Sequence, residues 1–336
     1  MPPLFDLDFE PHHGELVQIS PLLRRIVCNN PSKFTFHGTG TYVIGRGDVA
    51  VVDPGPRDDQ HVADLLAALD GERVRQILIT HTHGDHSPAA AALADATGAP
   101  VLGFGPHPVA ATSEGDDTVD DTALDDEDEW DTGEEIREQT EEEQAEAAAD
   151  REKHRPDVDF EPDDRLAHGD VVSGPGWTVE ALHTPGHISN HLCFAIAEER
   201  AVLTGDHVMG WSTTIIPPPD GDLRAYMDSL RLLLDRDDEV LYPTHGGAIN
   251  RPVPFVKALH DHRLLRTQQI VRELEAGPRS VREIVTVLYD AVARELWRPA
   301  ARSVIAHLIA LRDDGRARTA IASSSPMATS TTWELT

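Results

Sequence analysis

Short apolar runs of β-branched residues alternate with stretches of helical periodicity over residues 16–113. Such runs predict strands, and apolar residues spaced three and four apart predict helices. The predicted elements are strands over 42–45 and 48–53 joined by the glycine turn 45–47, a helix over 57–69, a strand over 76–80 and a helix over 87–98. In the last helix, Ser87 is predicted to cap the start and Gly98 to mark the end.

The same alternation resumes after residue 165 and then gives way to helices. The predicted elements are strands over 177–182, 191–197, 200–204 and 239–242, a helix over 222–234, and helices over 255–275, 280–289 and 300–312 before a β-like stretch over 318–321. We therefore predict a first domain over 1–255, a mainly helical second domain over 256–321, and a flexible Ser/Thr-rich tail over 322–336.

Apolar periodicity fails in the middle of the chain. Residues 114–164 contain 25 Asp and Glu against four cations, so this segment holds −21 of the net charge of −30. Its middle is rich in helix formers but has no apolar face to dock, and long blocks of like charge are usually solvated or disordered. We predict a mobile surface insertion, with a functional acidic lid or a partner-binding tail as the alternatives.

Composition narrows the class of protein. A chain of 336 residues suggests about two domains, and a hydrophobic content of 40% excludes disorder throughout. The net negative charge counts against stable binding to duplex nucleic acid. The N-terminus lacks the features of a signal peptide, and no apolar run approaches the roughly 18 residues that a membrane-spanning helix needs. With only Cys28 and Cys193 as cysteines, we predict a cytoplasmic protein without a disulfide framework.

The candidate chemistry is concentrated in Thr80-His-Thr-His-Gly-Asp-His86, between a predicted strand and a predicted helix. Imidazoles and carboxylates crowded into one short loop are costly to fold unless something organises them. Imidazole nitrogens and carboxylate oxygens suit a divalent cation such as zinc. The candidate metal ligands of this loop are therefore His81, His83, Asp85 and His86.

Three later segments complete this set of ligands. Each follows a predicted strand, and α/β sheets place their sites in the loops at strand ends. The segments are Thr184-Pro-Gly-His187, Leu203-Thr-Gly-Asp206 and Tyr242-Pro-Thr-His245. One histidine after a strand is weak evidence, whereas five histidines and two aspartates in four ordered segments are strong evidence for a metal centre.

This ordered pattern, His-x-His-x-Asp-His followed by His, Asp and His, resembles the metallo-β-lactamase superfamily over residues 16–113 and 165–250. The resemblance implies an α/β fold of the αββα sandwich type, with a two-metal site along one edge. It implies that one metal is bound by His81, His83 and His187, and the other by Asp85, His86 and His245, with Asp206 as the bridge. The expected cofactor is a pair of divalent metal ions, with Zn²⁺ as the first choice.

Two positions narrow the branch of the superfamily that the chain resembles. Asp206 stands where true β-lactamases have Cys, and His83 stands where the diiron flavoproteins have Glu. Residues 30–42, 205–214, 223–230 and 262–269 resemble the mitochondrial β-lactamase-like endoribonuclease and its bacterial relatives. In that branch a winged-helix-like domain follows the catalytic domain. The resemblance thus implies catalysis in 1–255 and a winged helix in 256–321.

The expected chemistry is hydrolysis by a metal-bridging hydroxide, because two metals lower the pKa of the water between them. Asp85 is the candidate catalytic residue that orients this hydroxide or takes its proton. The substrate stays open between two classes: resemblance favours single-stranded RNA, and the acidic surface favours a small ester, thioester or lactone. A metal-dependent regulator without catalysis is a third hypothesis, which the complete ligand set disfavours. The sequence leaves the oligomeric state open.

Further polar residues have less specific interpretations. His183 is either an orienting residue behind the ligands or an ordinary residue at a strand end, and His207, directly after Asp206, is a candidate for lining the site. Tyr226, His262 and Arg263 are expected on helix surfaces, with substrate contact as the alternative. Both cysteines lie in strand-like runs and are expected to be buried as small apolar residues.

Overall fold

The computed structural model describes residues 3–108, 156–291, 294–321 and 325–336. Residues 114–155 of the predicted acidic insertion lie outside this part, so mobility there stays a prediction. In the described part, two sheets packed face to face form the first unit, and a small three-stranded sheet with helices forms the second.

The first sheet has seven strands in the sequential order β1 to β7. They are β1 Val17–Gln18, β2 Leu23–Val27, β3 Gly40–Ile44, β4 Asp48–Val52, β5 Arg73–Leu78, β6 Val101–Gly103 and β7 Asp164–Arg165. Strands β1 to β4 are antiparallel and β4 to β7 are parallel. The parallel strands are connected by helices α1 (Asp59–Ala68) and α2 (Ala90–Thr97), which cover the outer face of the sheet.

The second sheet has five strands in the order β12-β11-β10-β9-β8. They are β8 Val171–Gly174, β9 Trp177–His183, β10 Leu192–Ile196, β11 Ala201–Gly205 and β12 Val240–Pro243. Helices α3 (Leu223–Leu234) and α4 (Pro252–Glu275) pack on its outer face. Its inner face meets the first sheet through one apolar core that includes Tyr42, Trp177 and Phe194. This arrangement is the predicted αββα sandwich.

The C-terminal unit combines helices with a small sheet of order β13-β15-β14. Its elements after α4 are β13 Arg279–Ser280, α5 Val281–Leu288, α6 Trp297–Asp313, β14 Ala317–Thr319 and β15 Thr332–Leu335. The apolar faces of α4, α5 and α6 meet in one core. Helix α4 crosses the predicted boundary between 255 and 256, and that boundary stays a prediction.

Local sequence signals explain where several helices begin and end. The Asp58 carboxylate accepts a hydrogen bond from the His61 amide at the start of α1. Ser280 and Glu283 form a reciprocal capping box at the start of α5. Gly98 ends α2 in the left-handed conformation, with φ 70°, as predicted.

Two predictions are wrong: the helix cap at Ser87 and the extension of the mobile insertion to residue 164. Helix α2 begins at Ala90, and the Ser87 hydroxyl donates to the Asp157 carboxylate over 2.8 Å instead of capping the helix. Phe160 lies in the core beneath α1 and α2. Residues 156–164, predicted to belong to the mobile insertion, are therefore packed, because one buried aromatic and one bonded carboxylate anchor them.

The predicted flexible tail also contains a strand. Residues Thr332–Leu335 form β15, the central strand of the small sheet, and Trp333 is fully buried. The Ser/Thr-rich composition suggested fraying, but the indole brings enough apolar surface to hold this segment in place.

Both cysteines are buried, as predicted. Burial raises the pKa of the Cys193 thiol to about 12, so this side chain is not a thiolate at neutral pH. Among the described helices, none combines the length and the apolar character that crossing a bilayer requires.

His307 makes the C-terminal unit sensitive to acid. Its side chain is fully buried, and burial together with Arg263, Arg266 and His262 holds its pKa well below 6.5. An unfolded histidine takes up a proton near pH 6.5, whereas this folded one does not. Its neutral form therefore supports folding fully above that pH, and this support is lost as the pH falls below it.

His307→Leu removes this titration. Between about pH 7.5 and about pH 5.5, we expect the free energy of unfolding to fall by about 1 kcal/mol less in the variant than in the wild type. Thr267 keeps its hydrogen bond to the Arg263 carbonyl, so no hydroxyl is left without a partner. Denaturant titrations of both proteins at the two pH values measure this difference, and an equal fall in both would contradict it.

Candidate metal centre

The seven predicted ligands meet at one edge of the sandwich. The loop 81–86 follows β5, and the other three ligands follow β9, β11 and β12. Strands β9, β11 and β12 run in the same direction, so their C-terminal ends open to one edge. Such an edge is where α/β sheets bind ligands.

The first group of donor atoms consists of three imidazole nitrogens and one carboxylate oxygen. His83 Nδ1 lies 2.9 Å from His81 Nε2 and 3.0 Å from His187 Nε2. Asp206 Oδ2 lies 3.8 Å from His187 Nε2. These four donor atoms all lie within 4.8 Å of one another.

The second group lies on the other side of Asp206. Asp85 Oδ2 is 3.1 Å from His245 Nε2 and 3.5 Å from His86 Nε2. Asp206 Oδ1 is 3.3 Å from His245 Nε2 and 3.6 Å from His86 Nε2. One oxygen of Asp206 therefore faces each group, which is the arrangement that a bridging ligand requires.

The residues present fit two divalent cations. His86 Nε2 and Asp206 Oδ1 are buried polar atoms without a hydrogen-bond partner in the described part of the chain. Unsatisfied buried polar atoms are costly, and a cation between them would remove that cost. The mixture of imidazole and carboxylate donors suits a borderline ion such as zinc.

The other nitrogen of three of the rings supports this interpretation. These histidines direct Nδ1 to an acceptor that has no proton to give, so Nδ1 carries a hydrogen and Nε2 is the nitrogen that faces the centre. These bonds are His86 to Asp53 Oδ2 at 2.9 Å, His187 to the Ile215 carbonyl at 2.6 Å and His245 to the Gly38 carbonyl at 3.1 Å.

Asp53 is a buried support of the centre that the sequence analysis missed. Besides the His86 ring, its carboxylate accepts the Thr80 amide at 2.8 Å, the Thr80 hydroxyl at 2.7 Å and the Thr244 hydroxyl at 3.3 Å. Its φ of 49° is unusual for a residue other than glycine. The available signal was an acidic residue at the end of the buried strand β4, directly before Pro54-Gly55.

His191 is a second support that the sequence analysis missed. The Asp206 amide donates to His191 Nε2 over 3.2 Å, and His191 Nδ1 lies 2.9 Å from the Thr184 hydroxyl. Burial, with the neighbouring His207 and His187, holds the pKa of His191 well below its usual value. The ring is therefore neutral and can accept from the Asp206 backbone.

The electrostatics differ between the two groups. Burial, aided by neighbouring imidazoles, holds the pKa values of His81 and His83 well below 6.5. Burial also acts to lower the pKa of His245, but the carboxylates of Asp206 and Asp85 outweigh it and raise that pKa. The first group thus offers neutral donors, whereas a cation entering the second group must displace a proton.

Neighbouring polar residues resolve into different roles. His183 donates to the Ser189 carbonyl and stacks on Phe104, so no ligand contact supports an orienting role. His207 is fully buried against Tyr226, and burial lowers its pKa to about 3. The prediction that Tyr226 and Arg263 lie on helix surfaces is wrong, because they are 0% and 5% exposed in the packing between α3 and α4.

Comparisons with known proteins agree with this geometry. The sequence model of the metallo-beta-lactamase superfamily matches residues 35–245. The model of the beta-lactamase associated winged helix domain matches residues 280–323.

Individual relatives extend the similarity over most of the chain. A protein named atrochrysone carboxyl ACP thioesterase from Aspergillus chevalieri is 28% identical over 313 residues, which are 89% of this chain and 80% of that protein. Beta-lactamase-like protein 2 homolog from Drosophila melanogaster is 28% identical over 310 residues, 89% of this chain and 90% of that protein. The crystal structure of a beta-lactamase domain protein from Burkholderia ambifaria superposes with a TM-score of 0.72 at 18% identity, covering 98% of this chain and 96% of that one.

Proposed function

The chain belongs to the metallo-β-lactamase superfamily and is a metal-dependent hydrolase, and on this premise we propose that it hydrolyses a small-molecule thioester or ester. The single observation that supports hydrolysis is the position of Asp206. One of its two carboxylate oxygens faces each complete group of donor atoms. Support for the thioester comes from the fungal relative named as a thioesterase, whose similarity extends over 89% of the chain.

We propose that all seven residues are ligands and that both ions are zinc. His81, His83 and His187 would hold one ion and Asp85, His86 and His245 the other, with Asp206 shared between them. When bound, the two ions supply a water of lowered pKa and stabilise the negative charge that develops on the scissile group.

Asp85 is the residue that holds or takes the proton of the attacking water in this proposal. Its Oδ2 accepts from the Thr39 hydroxyl over 3.4 Å. Asn30 fixes Thr39 from two directions, because its amide donates to the Thr39 hydroxyl and its oxygen accepts the Thr39 amide, each over 2.9 Å. This chain of bonds orients the carboxylate before a substrate arrives.

Single-stranded RNA remains the second candidate substrate. The winged-helix match and the resemblance of several segments favour it, and the comparisons do not confirm it. Three arginines of the C-terminal unit are paired with carboxylates, which reduces their value for binding phosphates. These pairs are Arg279–Glu283, Arg312–Asp313 and Arg318–Glu334.

The cytoplasmic location stays a prediction.

A side-by-side assay tests the proposal. The zinc-loaded protein is incubated with a short-chain acyl thioester, a lactone and a labelled single-stranded RNA, each also with the Asp206→Ala variant. We expect thioester or ester hydrolysis that the variant lacks, which excludes a contaminating esterase. RNA cleavage that depends on Asp206, without turnover of the other substrates, would contradict the thioester proposal.

Deleting part of the acidic insertion separates the two substrate classes by charge. Replacing residues 116–150 with a short Gly/Ser linker removes 18 carboxylates and one arginine and leaves the packed Asp157 and Phe160 untouched. A neutral thioester feels little of this field, so we expect its kcat/KM to stay within about twofold. Cleavage of RNA, if it occurs, should speed up at low salt and less at about 0.15 M, where the Debye length is about 8 Å. Thioester kinetics that change as strongly would contradict this electrostatic account.

A further inference from the structure

Two neighbouring residues, Thr214 and Ile215, support two of the candidate ligands at once. The Thr214 hydroxyl lies 2.8 Å from the carbonyl of Asp206 and 3.0 Å from that of His207. The Ile215 carbonyl accepts His187 Nδ1 over 2.6 Å. The position of this dipeptide therefore sets both the bridging carboxylate and one imidazole of the first group.

Arg263 of helix α4 holds this dipeptide from the side of the C-terminal unit. Its Nη2 donates to the Thr214 carbonyl, and its Nη1 donates to the Ser303 hydroxyl of α6 over 3.2 Å. Its guanidinium also lies over the ring of Tyr226 in α3, 5.4 Å from the centroid. One side chain thus joins three helices to the loop that follows Asp206.

The buried charge of Arg263 carries a desolvation penalty. The residue is 5% exposed, and within the described ranges no carboxylate lies within ion-pair distance of its guanidinium. The neighbouring His262 has its pKa lowered to about 4 by burial, with Arg263 and Arg266 adding to the effect. If this position served only packing, an apolar side chain would fill it without that desolvation penalty. The planar fork of arginine, in contrast, can hold two elements in one fixed geometry.

We propose that Arg263 is a positioning residue, through which the C-terminal unit fixes Asp206 and His187 for metal binding. The proposal rests on the proposed dinuclear site. It gives the helices after residue 252 a role in the metal centre that is independent of any contact with substrate.

The two metal positions should respond differently to the loss of this contact. The first group depends on His187 and therefore on Ile215. The second group depends on Asp85, His86 and His245, which are supported by Thr39, Asp53 and Gly38 instead. Removing Arg263 should weaken both ions, because they share Asp206, and should weaken the first ion more, because it also loses the placement of His187.

Metal content and metal affinity test this proposal directly. Wild type, Arg263→Gln and Arg263→Lys are equilibrated with graded concentrations of a zinc chelator, and the zinc per chain is counted by mass spectrometry. We expect the wild type to hold two ions, and Arg263→Gln to bind the first ion about 10- to 100-fold more weakly, with a smaller loss of affinity for the second. Arg263→Lys should recover part of the loss, since an ammonium can still donate to the Thr214 carbonyl.

A second pair of variants tests the next contact, that of the Thr214 hydroxyl with the Asp206 carbonyl, without touching the buried charge. Thr214→Val should weaken both ions, because they share Asp206, and Thr214→Ser, which keeps the hydroxyl, should retain both. In an Asp85→Ala background, where only the first group is intact, Arg263→Gln should release the remaining ion. The matched control is Arg266→Gln, because Arg266 lies one turn along α4 and contacts the Leu288 carbonyl and the Tyr289 ring.

The outcomes separate this inference from the proposed function. Two ions bound to Arg263→Gln with wild-type affinity would overturn the inference and leave the dinuclear site intact. Equal weakening of both ions, with a fall in melting temperature matched by Arg266→Gln, would show a merely structural residue and would also overturn it. A folded wild type without any bound metal would overturn the proposed function itself.

Discussion

Asp206→Ala is expected to lower kcat/KM for the hydrolysed substrate by about a thousandfold or more. The carboxylate faces both donor groups, so its removal takes one ligand from each and leaves Asp85 as the one carboxylate that the Nε2 atoms of His86 and His245 face in the described part of the chain. A thousandfold loss corresponds to about 4 kcal/mol of transition-state stabilisation, which is in the range that bound metals supply. Steady-state kinetics with the thioester substrate measure it.

The control for this variant is Asp228→Ala, which removes an exposed carboxylate from α3 and breaks only its pair with Arg231. Surface pairs of this kind contribute about 1 kcal/mol or less to stability. The control should keep full activity and two bound ions. Activity of Asp206→Ala within tenfold of the wild type would mean that the bridging position has been assigned wrongly.

Asp53→Asn is expected to lower the metal affinity, because Asp53 supports the ligands without being one of them. Asparagine keeps one acceptor oxygen and tolerates a positive φ, so the substitution isolates the loss of the charged acceptor. Its NH₂ group would face donors from Thr80 and His86, which leaves a buried donor without a partner at a cost of about 1 to 3 kcal/mol. The His86 tautomer would no longer be fixed, and metal affinity should fall about 10- to 100-fold.

Zinc affinity by chelator competition, together with the melting temperature, measures this second effect. Asp58→Ala is a matched control in the same loop, because its carboxylate caps α1 through the His61 amide and does not approach the ligands. Loss of this cap costs about 1 kcal/mol of stability and should leave the metal affinity unchanged. If both variants lowered the metal affinity equally, general loosening of the loop would explain the result, and the specific role of Asp53 would be wrong.

The ligands could be predicted from the sequence because they lie in short segments with fixed spacing at strand ends. His81, His83, Asp85 and His86 share one loop, so their proximity needs no knowledge of the fold. The sandwich itself followed from the resemblance that these segments carry. Local signals also located the helix end at Gly98 and the alternation of strands and helices.

The supports of the ligands could not be predicted in the same way. Asp53 and His86 are 33 positions apart, and Arg263 acts on a carbonyl 49 positions before it. Such contacts leave no local spacing, since they exist only after the sheets and helices have packed. Tyr226 and Arg263 were expected on helix surfaces because each is a polar residue within a helical pattern. The sequence does not show that these helices are covered on more than one face.

Amino-acid composition was the least accurate basis for predicting which segments are packed. The Ser/Thr-rich C-terminus suggested a tail, yet Trp333 anchors a strand there. The acidic bias suggested that the insertion extends to residue 164, yet Phe160 packs in the core beneath α1 and α2, and Asp157 bonds to Ser87 next to the metal loop. In both cases one or two well-placed side chains outweighed the average character of the segment.

The zinc content of the wild-type protein, purified without chelator and counted per chain by mass spectrometry, tests the central claim most directly. The account predicts two equivalents for the wild type, held at the two donor groups on either side of Asp206. A folded wild-type protein that binds no zinc, even when zinc is added in excess, would contradict it.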